Sequence, residues 1–247
     1  MQNLTLSLMF LLIGCQPTFS DDSAAPPKPG DTDTDTDTDT DTDTEPSVIT
    51  YHLKEAVSED SNPHGPWSLG WGSASWSPSI TVMDHPLGKG DLCADDLYGW
   101  SETSLGIDPN FSANPTADDI NCADNWVTYA ADAITAHPGS AGQYAHLHWQ
   151  APAAADCSVS VVFTGLDAGL DYSPGAGTTT TDVWVHHEGT ALGSGIISWF
   201  GETITVTSAT PLAVEKGDII DFAVGYGEDL SYYHDTTGIV GSIHCTF

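Results

Sequence analysis

The sequence contains no arginine, and its 247 residues include only four lysines against 35 aspartates and glutamates, a formal net charge of -31. A surface with so few cations cannot neutralise the phosphates of a nucleic acid or the headgroups of an anionic membrane. Both are therefore poor partners for this composition, apart from a membrane contact made through a lipid anchor. It favours neutral molecules, basic proteins or cations.

Long hydrophobic runs are also missing. The N-terminal apolar segment, Leu4 to Ile13, is too short to span a bilayer but has the length of a signal-peptide core. It is followed by Cys15 and resembles a bacterial lipobox, although no Lys or Arg precedes it. We expect residues 1–14 to be removed and Cys15 to be lipidated, with a signal peptide without lipid as the alternative. Gln16 after the cysteine favours the outer membrane or cell surface.

The next segment is a low-complexity repeat, since residues 31–44 are seven Asp-Thr pairs. Its like charges repel one another and it has nothing apolar to bury, so residues 15–45 are predicted to form a disordered acidic tether. Calcium-binding loops need glycine turns, which the repeat lacks. Similar tethers occur in lipoproteins of myxobacteria.

The remaining four cysteines lie in a chain that we expect to be exported, so two disulfides are the simplest interpretation. Three pairings are possible. We favour Cys93 with Cys122, which bracket one loop-rich region, and Cys157 with Cys245, which open and close predicted strands. A zinc site is the competing interpretation, but no CxxC pair is present.

Amphipathic helices are absent from residues 46–247, where short apolar alternations are separated by Gly, Pro, Asn and Asp. Examples are the strands predicted around 157–163, 183–185 and 220–224. We therefore predict an all-β domain, an antiparallel two-sheet β-sandwich of jelly-roll type. It has 25 acidic residues against three lysines, so the acidity is not confined to the tether.

Six segments occur in an order typical of one family: SNPHGPWSLGW at 61–71, AHPG at 136–139, HLHWQAPAAADCSVSVVFTGLD at 146–167, TTDVWVHHEGTAL at 180–192, VEKGDIIDFAVGYG at 214–227 and YHDTTG at 233–238. They resemble the galactose-binding-like jelly-roll domain of exported bacterial proteins, as in planctomycetes and proteins with PEP-CTERM signals. The resemblance covers residues 47–247, and related sandwiches commonly bind carbohydrate. The polar segment 90–122 departs from the family.

Tryptophans are candidates for contact with sugar rings, because an indole packs on the C–H face of a sugar without needing positive charge. Four of the eight lie in loop-rich sequence and are the predicted ligand-binding residues: Trp67, Trp71, Trp76 and Trp100. Packing into the core is the alternative for each. For Trp67 and Trp71 the core edge is the favoured position.

Two metal sites are possible. Glu228, Asp229 and Asp235 lie near the last strand and can bind a structural calcium, with solvated turn acids as the alternative. His146 and His148 share one strand face and can reach one Zn²⁺ or Cu²⁺, with His186 as a further ligand. A polar outward face is the alternative for the histidines.

No catalytic motif is present, since the sequence lacks GxSxG, HExxH and a phosphate-binding loop. We predict a lipid-anchored extracytoplasmic binding module without catalysis, with glycan as its ligand and calcium as a possible structural ion. The first alternative is a structural or adhesive protein that binds another surface protein. The second is histidine-based binding of a transition metal.

Overall fold

The computed structural model describes residues 46–102, 108–122, 127–168 and 180–247. These ranges contain strands and one short 3-10 helix, Leu53–Ala56, and no α-helix. Within them, no helical segment has the length and apolar character needed to span a membrane. The signal peptide, the lipidated Cys15 and the tether predicted for residues 1–45 lie outside the described residues.

Most of the strands are short, as the frequent turn residues predict. In chain order they are β1 (Val48–His52), β2 (Trp67–Gly72), β3 (Thr81–Val82), β4 (His85–Leu87), β5 (Tyr98–Ser101), β6 (Asn110–Ala113), β7 (Ile120–Cys122), β8 (Val127–Tyr129), β9 (Ile134–His137), β10 (Tyr144–Gln150), β11 (Ala155–Gly165), β12 (Thr181–His187), β13 (Thr190–Ile197), β14 (Thr203–Thr207), β15 (Leu212–Val214), β16 (Ile219–Val224) and β17 (Thr237–Thr246).

Two large antiparallel sheets form the domain. In the nine-stranded sheet the order is β14-β11-β17-β9-β6-β5-β4, with β1 added on β17 and β15 on β11. In the six-stranded sheet the order is β13-β12-β16-β10-β2-β3. Strands β7 and β8 form a separate pair. The predicted all-β, two-sheet sandwich is confirmed.

The core contains the inward-facing side chains of both sheets. In β11 the buried Val159, Val161 and Phe163 alternate with more exposed residues, as the sequence pattern predicts. The six-stranded sheet contributes Leu147 and Trp149, which are also fully buried. Each large apolar side chain removed from water stabilises the fold by about 1.5–3 kcal/mol.

Both favoured disulfides are present. Cys157 and Cys245 are directly opposite each other in the β11–β17 register, with Cα atoms 4.1 Å apart. Cys93 joins Cys122, the last residue of β7, with Cα atoms 5.8 Å apart. The first bond links two central strands, and the second closes the polar segment 90–122.

Three tryptophans expected in loops lie in strands, because nearby Pro and Gly residues conceal the strand pattern. Trp67 and Trp71 belong to β2, and Trp100 belongs to β5. The Asn62 side chain anchors β2, since its amide nitrogen donates to the Leu69 and Met83 carbonyls and its oxygen accepts from the Leu69 N–H.

The segment 90–122 also differs from the expectation of a polar loop insertion. It supplies β5 and β6, which lie side by side in the nine-stranded sheet, and β6 continues the sheet to β9. Backbone pairing thus incorporates a segment whose composition is typical of a loop. Its tertiary neighbours, rather than its local sequence, determine its conformation.

Candidate metal centre

Three adjacent strands of the six-stranded sheet bring polar side chains together on the face turned away from the core. Asp221 on the central β16 is paired with His148 on β10 and with His186 on β12. His146 lies two residues before His148 and therefore projects from the same face. The sheet register thus places three histidines around one carboxylate.

This outer face is buried. His146 and Asp221 are fully buried, and His148 and His186 nearly so. Residues 73–80, which we call the cap, connect β2 to β3 and lie against the cluster. The ring of Trp76 in the cap is centred 6.3 Å from that of His148 and 5.7 Å from that of His186. The alternative predicted for the histidines, a polar face turned outward, is therefore correct in direction, but the cap covers this face of the sheet.

Close approach of the cap depends on a glycine of the β12–β13 turn. Gly189 has a φ of +77°, and a Cβ atom there would lie 3.0 Å from the Trp76 Nε1 atom. A side chain at this position would displace the indole and also strain the backbone. This glycine helps to keep Trp76 over the histidines.

His146 contacts the cap on one side and Asp221 on the other. Its Nε2 atom lies 3.0 Å from the Ala74 carbonyl oxygen, and its Nδ1 atom lies 3.0 Å from both carboxylate oxygens of Asp221. A carbonyl only accepts hydrogen bonds, so Nε2 carries the proton. The Nδ1 lone pair cannot face the carboxylate oxygens of Asp221 directly at this distance. Either Nδ1 carries a proton as well, or it shares a metal cation with the carboxylate.

His148 provides a second buried nitrogen. Its Nε2 atom lies 3.6 Å from Asp221 Oδ1 and has no hydrogen-bond partner among the described residues. The ring also bonds to the Ser77 backbone in the cap. Burial lowers the pKa of His148, although the Asp221 charge acts in the opposite direction. His148 is therefore neutral at neutral pH and can offer a lone pair.

The geometry of these three groups fits one small cation. His146, His148 and Asp221 can each offer a ligand atom such that all three atoms lie within 4.8 Å of one another. Bonds of about 2.0–2.2 Å at tetrahedral angles separate ligand atoms by roughly 3.3 Å. The observed nitrogen-to-oxygen distances of 3.0 and 3.6 Å lie on either side of that value.

The chemistry of the ligands favours particular metals. Two imidazoles and one carboxylate suit Zn²⁺ or Cu²⁺ better than calcium, which prefers six to eight oxygens. Backbone contacts from the cap fix the orientation of both rings, as partners of metal-binding histidines commonly do. The arrangement can hold a transition metal without large rearrangement of these three residues.

His186 lies beside this set. Its ring stacks on Trp184 with the planes 9° apart and the centres 5.6 Å apart. The Nδ1 atom is buried and lacks a hydrogen-bond partner within the described part of the chain. Burial lowers the pKa of His186, so this residue is neutral as well.

The residues predicted to bind calcium are not brought together in the same way. Asp235 is 1% exposed and accepts a hydrogen bond from the Thr181 hydroxyl, whereas Glu228 and Asp229 are exposed. In the described ranges, the three do not form a group with metal-ligand spacing. Calcium binding stays a prediction, without support from a converging set of ligands.

The predicted sugar-contacting tryptophans occupy different environments. Trp67, 2% exposed, and Trp100 are core residues whose ring faces are not open to a ligand. Trp71 is half-buried and donates from Nε1 to Glu102 at 3.2 Å. Trp76 is half-buried over the histidines. Trp71 also packs against the core from its edge, as favoured, so core packing applies to three of the four, and a ligand role for Trp71 or Trp76 stays a prediction.

A separate cavity of about 670 Å³ opens where β1, β10 and the 215–218 turn come together. Its lining includes Tyr51, Pro66, Gln150, Pro152 and Lys216. The mixture of an aromatic ring, prolines, an amide and an amine is suitable for a small polar ligand.

Asp221 was the residue that sequence reasoning missed. It is the single charged residue in the apolar strand Ile219–Val224. A lone carboxylate in a buried strand needs a partner, which is the signal that identifies it.

Comparisons with known proteins yield distant likenesses only. No protein-family model and no curated protein matches the sequence. A Stig cyclase from Fischerella sp. TAU, solved with an indole compound, shares 14% identity at a TM-score of 0.37, covering 79% of this chain and 88% of that one.

Two carbohydrate-binding structures are also similar. The CBM51-2 and INT domains of Clostridium perfringens ZmpB, solved with GlcNAc, share 13% identity at a TM-score of 0.33 over 67% of this chain, which spans 32% of that one. Carbohydrate-binding module CBM36, solved with calcium and xylotriose, shares 12% identity at a TM-score of 0.23, covering 52% of this chain and 87% of that one. Likenesses at these values assign no function.

Proposed function

We propose that this protein is a β-sandwich that binds a divalent transition metal, Zn²⁺ or Cu²⁺, through His146, His148 and Asp221. One observation carries the proposal: two buried imidazole nitrogens converge on a buried carboxylate, while the other nitrogen of His146 is bonded to a cap carbonyl. Without a cation, the Nδ1 atom of His146 needs a second proton and the Nε2 atom of His148 stays without a partner.

The charge of the protein supports this proposal. The domain has 25 acidic residues and three lysines, and two of those lysines, Lys54 and Lys89, pair with aspartates. A strongly negative surface raises the local concentration of cations and speeds their association. The same field disfavours anionic ligands.

The competing explanation is a buried His146–Asp221 ion pair that stabilises the fold without metal. To distinguish the two, the full chain is expressed without a histidine tag, dialysed against a chelator and titrated with Zn²⁺ and Cu²⁺ by calorimetry. We expect one metal per chain in the wild type and strongly weakened binding in His148→Ala. His52→Ala, which removes an exposed histidine of β1, is the matched control and should bind as the wild type does. A wild type that binds no metal contradicts the proposal.

Glycan binding is the second candidate, and the cavity beside Tyr51 is the observation that favours it. Its volume is within the range of small-molecule sites, about 300–1,000 Å³. Tyr51→Ala should abolish the calorimetric response to any glycan that binds there, whereas Tyr233→Ala, at an exposed position, should not. Silence of the wild type across a glycan panel contradicts this candidate and favours a protein-binding surface.

Export and lipid attachment are part of the proposal and rest on residues 1–16 alone. Cys15→Ser should release the protein from the membrane fraction of the native host, as measured by fractionation. Retention of the variant in that fraction contradicts the lipid anchor. Metal binding does not depend on this outcome.

A further inference from the structure

The neighbour of the three-residue set has no role in the proposed function. His186 is directly opposite Asp221 on β12, as His148 is on β10. Paired residues on adjacent antiparallel strands have Cβ atoms about 4.5–5.5 Å apart. Asp221 therefore has one histidine on each side, and both reach from the same face of the sheet.

We propose that His186 provides a fourth metal ligand, which completes a closed site of three histidines and one aspartate. This inference rests on the proposed function. In the structure the His186 ring stacks on Trp184, so coordination requires rotation of the His186 side chain towards Asp221.

The unpartnered nitrogen of His186 is the main support. Nδ1 is buried and finds no hydrogen-bond partner in the described residues, a condition that is rare for buried polar atoms in folded proteins. An imidazole nitrogen that carries no proton can offer its lone pair to a cation. Coordination gives this nitrogen the partner that the described chain does not supply.

The rotation must break the stacking of His186 on Trp184, whose ring is held by a hydrogen bond of 2.7 Å from Nε1 to Asp182. The β12–β13 register shifts between Val185 and His186. Such irregularities change the direction of a side chain and are frequent beside functional sites.

A fourth protein ligand decides what kind of centre this is. Zinc sites with four protein ligands are structural, whereas catalytic sites keep a position for water or substrate. A closed site beneath the cap has no position for a substrate. The inference therefore assigns a binding or stabilising role to the metal rather than hydrolytic chemistry.

The test uses the full chain loaded with Co²⁺, whose visible absorption is strong in four-coordinate tetrahedral sites and weak in six-coordinate ones. We expect a strong spectrum in the wild type. In His186→Gln we expect a weak or altered spectrum and a dissociation constant raised by at least about tenfold to a hundredfold, the loss seen when even outer partners of metal ligands are removed. His187→Gln is the matched control, since His187 is the next residue of β12 and lies 3.5 Å from Asp218.

Each outcome separates the inference from the proposed function. If His186→Gln matches His187→Gln in affinity and spectrum, His186 is not a ligand, while metal binding by the other three stands. If the wild type binds no metal, the proposed function fails first and this inference fails with it. Pulsed electron paramagnetic resonance of the wild-type Cu²⁺ complex counts imidazole ligands without any variant. Three support the inference, and two overturn it.

Discussion

Replacing Asp221 with asparagine tests the centre at the residue that contacts both His146 and His148. The side chain keeps its size, but it loses the charge that faces the His146 Nδ1 atom at 3.0 Å. Two effects are expected: loss of the metal and loss of the buried ion pair. They are separable because only the first depends on added metal.

The metal effect follows from mass action. At 100 times its dissociation constant, a ligand that binds only the folded state stabilises it by about 2.7 kcal/mol. For a domain of this size each kcal/mol shifts the melting temperature by about 2–4 °C, so Zn²⁺ should raise it by roughly 5–11 °C. Asp221→Asn should show no such rise.

The ion-pair effect appears without metal. Removing one partner of a buried pair costs about 3–5 kcal/mol, so the chelator-treated variant should melt roughly 6–20 °C below the wild type. Differential scanning calorimetry with chelator and with Zn²⁺ measures both effects on the same two proteins. A wild type whose melting temperature does not respond to Zn²⁺, or a variant that keeps the full rise, refutes the reasoning.

Three further results are expected. Burial raises the pKa of Asp235 from 3.8 to about 8. Between pH 4 and pH 8 the folded protein therefore keeps the Asp235 proton, whereas the unfolded chain has lost it. The free energy of unfolding thus falls as the pH rises from 4 to 8 and levels off above 8. Asp235→Asn should remove this slope, up to about 1.4 kcal/mol per pH unit, in denaturant titrations; an unchanged slope contradicts the raised pKa. Removing the Cys157–Cys245 disulfide by double alanine substitution should lower the free energy of unfolding by about 4–5 kcal/mol. This is roughly 1 kcal/mol more than for Cys93–Cys122, because the Cys157–Cys245 bond closes the longer loop. Equal losses of stability in the two double variants contradict this order. Trp76→Phe should reduce the fluorescence quenching caused by Cu²⁺, and Trp76→Phe combined with Trp184→Phe should reduce it further, because both rings are centred 5.6–6.3 Å from histidine rings of the cluster; quenching that is unchanged in the double variant contradicts the proposed site.

Much of the fold follows from local patterns in the sequence. The alternation in 157–163 predicts β11 because one face of this strand is more buried than the other, and the short apolar run around 220–224 predicts β16, which is buried on both faces. The pairing of Cys157 with Cys245 is favoured by their positions in predicted strands, and that of Cys93 with Cys122 by the loop-rich region they bracket; the sequence alone leaves three pairings open. Strand β2 was missed, because its anchor is the Asn62 side chain, a contact that periodicity does not encode.

The candidate metal centre can also be predicted in part from strand alternation. His146 and His148 share a face by simple alternation, and His186 was named as a further ligand. Their burial depends on the cap, which is about 70 residues earlier in the chain, and Asp221 becomes central only through the strand order β12-β16-β10. Long-range pairing of this kind leaves no periodic signal in the sequence.

The cap has a consequence for how the protein would exchange its metal. Ala74 and Ser77 lie against the two histidine rings and Trp76 covers them, so release of an ion from the proposed site would require local opening of residues 73–80. Release would then proceed at the rate of that opening rather than at the rate at which metal–nitrogen bonds break. A site closed in this way would retain the proposed ion through long dilution and would be a poor donor of metal to other proteins.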